Sequence, residues 1–122
     1  MAQNKNCIFC KIARGELKQK SVAENDTFFA IRDIKPTAKG HTLIIPKKHY
    51  VTLLDLPSKL GNDLMDILKK VSSDLMDEKL GDGFNLVMNN LSVAGQIVMH
   101  AHIHVIPRKE NDGIRLVTRV ND

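Results

Sequence analysis

The 122 residues, 43% of them hydrophobic, suffice for one domain with its own core and fall short of two ordinary ones. The formal net charge of +4 favours anionic partners, but the basic residues come as scattered pairs (Lys47 and Lys48, Lys69 and Lys70, Arg108 and Lys109) without interleaved aromatics, so no nucleic acid is expected. No run of about 18 apolar residues occurs and Met1 to Asn6 contains no apolar stretch, so no membrane span or signal peptide is read and a cytoplasmic location is expected.

Cys7 to Arg14 has apolar residues at 8, 9 and 12 and stops at Gly15, which predicts a short amphipathic helix. Ser21 to Glu24 and Thr27 to Asp33 flank the turn residues Asn25 and Asp26 and read as a hairpin, with Phe28, Phe29 and Ile31 as its β-favouring side chains. A third strand, His41 to Ile45, is bounded by Gly40 and Pro46. From Pro57 to about Glu78 apolar residues fall at 60, 64, 67, 68, 71 and 75, which is helical spacing, and Gly81 and Gly83 close the segment. Gly61 inside that helix costs roughly 1 kcal/mol relative to alanine, so packing on a sheet must hold it. Phe84 to Met88 and Met99 to Pro107 read as the fourth and fifth strands, and the polar tail from Lys109 onward is expected to close the fold or contact a second subunit. Strands, one long helix, then strands define an α+β domain with an antiparallel sheet.

His100-Ala101-His102-Ile103-His104-Val105-Ile106-Pro107 alternates polar and apolar side chains, and a strand sends residues two apart to one face. Three imidazoles are therefore expected on one face, with Ala101, Ile103 and Val105 continuing Ile97 and Met99 into the core. A metal site is the competing reading, but at about 3.3 Å per residue the outer two histidines stand about 13 Å apart, so at most one pair shares an ion. No Asp-His cluster is evident beside them to build a hydrolytic metal centre. The alternative is nucleophilic catalysis: a neutral imidazole offers a lone pair near physiological pH and needs only its other nitrogen hydrogen-bonded to fix the tautomer.

These residues resemble the histidine-triad (HIT) family, whose signature is His-x-His-x-His followed by two apolar residues, matched here from His100 through Ile106. Cys-Ile-Phe-Cys-Lys-Ile at 7 to 12, Asp33-Ile34, the stretch from Gly40 to Lys47, and Gly95-Gln96 extend the likeness over most of the chain, and the short length is similar to the Hint branch. The resemblance implies one HIT domain over residues 1–122 that hydrolyses purine nucleoside phosphoramidates, of the adenosine 5'-monophosphoramidate type, through a nucleotidyl-histidine. A dinucleoside polyphosphate hydrolase and a nucleotide-binding regulator with vestigial catalysis are the alternatives. It implies His102 as nucleophile, His104 on the phosphate and leaving group, His100 in support, His41 reaching the triad from the neighbouring strand, and Asp33 on the ribose hydroxyls. The base pocket would fall on Ile8, Phe9, Ile12 and Ile31, and the phosphate contacts on Asn89, Gly95 and Gln96. A homodimer is implied as well. One departure stands out: Ile97 occupies a position where many Hint relatives carry Ser or Thr, so the hydroxyl that helps protonate a leaving group is missing.

Cys7 and Cys10 alone are half a metal site. A reducing compartment disfavours a disulfide, and a thioredoxin-like redox pair would need a βαβ context that this segment lacks, which leaves zinc or free thiols. The resemblance implies His49 and His100 as the remaining ligands of a structural zinc, with none required for the chemistry.

Overall fold

The alternation around Asn25 and Asp26 forms a hairpin, β1 (Ser21–Glu24) against β2 (Phe28–Arg32), in antiparallel register. Its turn is closed by the Asn25 side-chain oxygen, which accepts the Thr27 and Phe28 N–H groups at 3.1 and 2.9 Å. These coordinates are a computed structural model that describes residues 5–116. Residues 1–4 of the expected N-terminal segment, and the expected tail beyond 116, lie outside the described residues.

Three further strands, β3 (Thr42–Pro46), β4 (Gly83–Val87) and β5 (Ile103–Arg108), complete an antiparallel sheet in the order β1-β2-β3-β5-β4. Two helices, α1 (Ile8–Ala13) and α2 (Gly61–Asp77), cover its two faces. The register explains the division. Phe29, Ile45, Ile31 and Leu43 alternate toward α1 and pack with Phe9, with His104 opposite Leu43 in the register, whereas Phe28, Ala30, Ile44 and Val105 meet Ile67, Val71 and Leu75 of α2. Each fully buried Phe, Ile, Leu or Val among these contributes about 1.5–3 kcal/mol.

Three expectations need correction. Gly61 is the first residue of α2, preceded by a 3₁₀ turn at Ser58–Leu60, so the cost of an interior glycine does not apply there. The helix ends at Asp77 with Glu78 as its cap, close to the expected Glu78, but it is not Gly81 that closes it: Lys79 takes the left-handed conformation (φ 59°), and Lys79 and Leu80 donate to the carbonyls of Met76 and Leu75, both at 3.0 Å. Gly81 is needed for space instead, since a Cβ there would stand 2.8 Å from the Arg108 nitrogen. Finally, β5 begins at Ile103, four residues later than read. Residues 97–102 leave the sheet because Ala101 N–H bonds the Tyr50 carbonyl at 2.6 Å and the His100 ring turns inward, so Ile97 is 90% exposed and Met99 39% exposed, not core.

Candidate active site

Departure of residues 97–102 from the strand gives the three histidines different surroundings. His100 is fully buried; its Nε2 lies 2.8 Å from the Pro46 carbonyl and its Nδ1 faces the sulfurs of Cys7 and Cys10 at 3.2 and 3.5 Å. His102 and His104 are half-buried on the α1 side, with ring centroids 5.0 Å apart, and Phe9 stands edge-on to His102 at 5.2 Å. Gly40 (φ 94°) turns the chain into β3 and delivers His41, also buried, to within 2.9 Å of His104.

A carbonyl accepts and never donates, so the hydrogen bonds assign the proton positions. His102 Nδ1 lies 2.7 Å from the His100 carbonyl and therefore carries the hydrogen, leaving Nε2 with a free lone pair. His100 donates from Nε2 to Pro46, so its Nδ1 is bare toward the cysteines. The Thr37 N–H donates to His41 Nδ1 at 3.0 Å; His41 then donates from Nε2 to His104 Nδ1, and His104 presents Nε2–H outward. Adjacent rings thus offer one lone pair and one N–H donor.

Burial keeps the partners uncharged. It pushes His104 down to about 4, reinforced by the neighbouring His102 and His41 and opposed by Asp33. His41 is lowered by burial against the pull of Asp33, so its 3.6 Å approach to that carboxylate is not an ion pair at neutral pH. Burial also takes His100 to about 4, opposed by its bond to Pro46. Because His41 and His104 resist protonation when folded while the unfolded chain protonates near 6.5, stability is lost as pH falls from about 6.5 to about 4 and levels off below. Urea unfolding of wild type and His104→Gln between pH 4 and 7 checks this: the variant is expected to show a shallower pH slope, and equal slopes would contradict it.

Asp33, His41 and His104 place ligand atoms within 4.8 Å of one another, which overturns the expectation that no Asp-His cluster accompanies the triad. The sheet order β2-β3-β5 creates that proximity, and spacing along the chain does not announce it. The second cluster, Cys7, Cys10, His49 and His100, joins α1, the segment after β3, and the approach to β5. Its sulfur–nitrogen separations of 3.2, 3.4 and 3.5 Å compare with roughly 3.6 Å for a tetrahedral ion at ordinary Zn–S and Zn–N lengths. The donor set therefore fits zinc, and the Pro46 carbonyl on the far nitrogen of His100 is the outer partner that a ligating imidazole needs.

The remaining expected residues divide. Phe9 and Ile31 are buried in the α1-side core with Ile12 partly buried against them, and Ile8 is 46% exposed. Asn89 is half-buried, its side-chain nitrogen 3.5 Å from the Gly95 carbonyl. The buried side chain of Gln96 accepts from Leu91 N–H and donates to the Val51 carbonyl, both at 2.6 Å, tying down the 91–96 loop. The N–H groups of Gly95 and Gln96 bond to Ser92 and Leu91 within that loop. Thr37, Pro46 and Tyr50 escaped sequence reading because they act through backbone atoms, which leave no residue-type signal. A cleft of about 460 Å³ beside α2 and another of about 430 Å³ between the Asp26 turn, Lys47 and the turn preceding α2 include no histidine in their lining.

Residues 14–111 match the HIT domain family. An uncharacterized HIT-like protein of Methanocaldococcus jannaschii is 48% identical over 109 residues, covering 88% of this chain and 82% of that one. A protein of Arabidopsis thaliana named adenylylsulfatase is 42% identical over 88% of this chain, which spans 54% of its length. One of Candida albicans named adenosine 5'-monophosphoramidase is 39% identical over 90% of this chain and 75% of its own. Among solved structures, a HIT family protein from Bacillus subtilis superposes with TM-score 0.89 at 36% identity, covering 96% of this chain and 84% of that one. A zinc-bound histidine triad family protein from Mycobacterium smegmatis gives 0.83 at 33% identity over 91% and 81%. Fold and site define a histidine-triad protein. The chain belongs to the HIT domain family.

Proposed function

We propose that this chain is a nucleotide hydrolase that cleaves purine nucleoside phosphoramidates, of the adenosine 5'-monophosphoramidate type, with its 122 residues as a single domain. The observation that carries the reading is the pairing of a bare His102 Nε2 with the outward Nε2–H of His104. His102 attacks the α-phosphorus, the phosphorus–nitrogen bond breaks, and the nitrogen departs as ammonia after taking up one proton from solvent. The positive charge left on the His102 ring lies against the His100 carbonyl through Nδ1–H. His104 donates to the phosphoryl oxygen or leaving group as charge moves onto it. Water then displaces His102, releasing the nucleoside monophosphate and one proton to solvent, which balances the proton taken up in the first step and returns His102 neutral. Asp33, at the end of β2, has two acceptor oxygens to take the ribose hydroxyls, and Phe9, Ile12, Ile31 and the exposed part of Ile8 supply an apolar bed for the base. Asn89 and the 91–96 loop that carries Gly95 and Gln96 are the proposed phosphate side, with the Asn89 amide as the side-chain donor.

Zinc held by Cys7, Cys10, His49 and His100 would supply a cross-link between three distant segments. A second copy of the chain is the proposed partner. β4 is an edge strand whose Phe84 and Leu86, 43% and 49% exposed, fall on one face, and pairing two such edges across a two-fold axis covers them. Sedimentation equilibrium is expected to return twice the 13.7 kDa chain mass, and a monomer at micromolar concentration would contradict the pairing. Neither a nucleic acid nor a membrane surface is among the proposed partners. No helix among the described residues is long and apolar enough to cross a membrane. A cytoplasmic location is part of the proposal.

Comparison of kcat/KM on adenosine phosphoramidate and on diadenosine tetraphosphate tests the assignment. The phosphoramidate is expected to be preferred. The reverse order would make the chain a dinucleoside polyphosphate hydrolase, and no turnover of either would make it a nucleotide-binding regulator. Ile97 bears on rate: being 90% exposed, it can be changed to serine without disturbing the core. Ile97→Ser is expected to raise kcat on the phosphoramidate several-fold by restoring a hydroxyl proton donor, and an unchanged kcat would remove that explanation of the departure.

A further inference from the structure

His100 has two jobs in two places. Its ring belongs to the cysteine-histidine cluster, with Nδ1 3.2 and 3.5 Å from the sulfurs of Cys7 and Cys10. Its backbone carbonyl, 2.7 Å from His102 Nδ1, is the acceptor that leaves His102 Nε2 bare. In regular strand pairing a carbonyl is held by its neighbour strand, but His100 precedes the start of β5 at Ile103. What places it is the ring, fully buried between Pro46, Phe9 and His49, together with Ala101 N–H on the Tyr50 carbonyl.

A second connection runs in parallel. Phe9 sits on α1 between the two cysteines and stands edge-on to both His100 and His102, at 5.6 and 5.2 Å. Drawing Cys7 and Cys10 onto a common ion therefore also sets the wall against which the His102 ring rests.

Building on the proposed role of His102, we propose that His100 is a positioning residue: metal bound at Cys7, Cys10, His49 and His100 fixes the carbonyl and the Phe9 wall that hold the nucleophile in its attacking tautomer. The cluster then controls the rate of chemistry without touching the substrate, as outer partners of a reactive group commonly do at ten- to a hundredfold. A purely structural cluster would instead alter melting temperature and leave His102 as it is.

The test compares zinc-loaded wild type with the same protein stripped by chelation. Zinc content, far-ultraviolet circular dichroism, the His102 tautomer from ¹H–¹⁵N long-range NMR, and single-turnover nucleotidylation are each measured. The expected result is a folded stripped protein in which His102 no longer holds a single Nδ1–H tautomer. Nucleotidylation slows about tenfold or more, KM moves less than twofold, and zinc restores both. Unchanged tautomer and rate in metal-free, folded protein would overturn the proposal. If stripping unfolds the chain, cobalt(II) in place of zinc gives the reciprocal reading, because coupling between two sites acts in both directions. The visible bands of cobalt-loaded His102→Gly are then expected to shift from those of cobalt-loaded wild type, and identical spectra would overturn the coupling. Absence of any nucleotidylation in zinc-loaded wild type would instead count against the proposed function, while the tautomer and cobalt measurements still decide the coupling.

Discussion

Replacement of His102 by asparagine is expected to lower kcat on adenosine phosphoramidate at least about a thousandfold with little change in melting temperature. The loss is large because no other triad-side histidine among the described residues combines a free lone pair with a fixed direction. His104 directs N–H outward, the bare nitrogen of His41 is occupied by Thr37, and that of His100 faces two sulfurs. The fold tolerates the change because His102 is half-buried, lies before β5 begins, and meets Phe9 and His104 by ring edges, outside both core clusters. Asparagine retains an N–H that can reach the His100 carbonyl, so that acceptor is not orphaned. Steady-state kinetics with a parallel thermal melt measures both halves. Activity within tenfold of wild type would move the nucleophile elsewhere.

The second large effect is on stability. Cys10 is fully buried, with His49 and His100 nitrogens 3.4 and 3.5 Å from its sulfur, and these partners lie 39 and 90 residues away in sequence. Cys10→Ala is expected to abolish stoichiometric zinc and cost about 3–5 kcal/mol, a fraction of what metal contributes to a zinc finger because two core clusters persist. For a domain of this size that is roughly a 10–20 °C fall in melting temperature. Metal analysis and calorimetry check it. A wild-type protein that contains no zinc and melts unchanged after chelation would contradict it.

Most of the fold was legible because periodicity reports burial. The stripe at 60, 64, 67, 68, 71 and 75 faces the sheet, and the hairpin around Asn25 forms as its turn residues require. Periodicity misled where a backbone bond outweighed it. Alternation suggested a strand from Met99 with Ile97 in the core pattern before it, yet Tyr50 and Pro46 draw residues 100 and 101 away, which leaves Ile97 in solvent and gives His100 and His102 separate tasks. At the site, the residue types were readable but the wiring was not. Asp33 approaches His41 and His104 only through the strand order β2-β3-β5, and Gln96 spends its amide on Leu91 and Val51. Tautomers depend on carbonyls and N–H groups that every residue possesses, so Thr37 and the His100 carbonyl could be found only in three dimensions.

All of the chemistry above passes through one covalent species, a nucleotide bonded to His102. Rapid quenching of wild type with adenosine phosphoramidate, followed by intact-mass and peptide mass spectrometry, reads it directly. The account predicts an adduct of one nucleotidyl group on the peptide containing His102, absent in His102→Asn. Product formation with no such adduct at any quench time, or an adduct that persists in the variant, would contradict it.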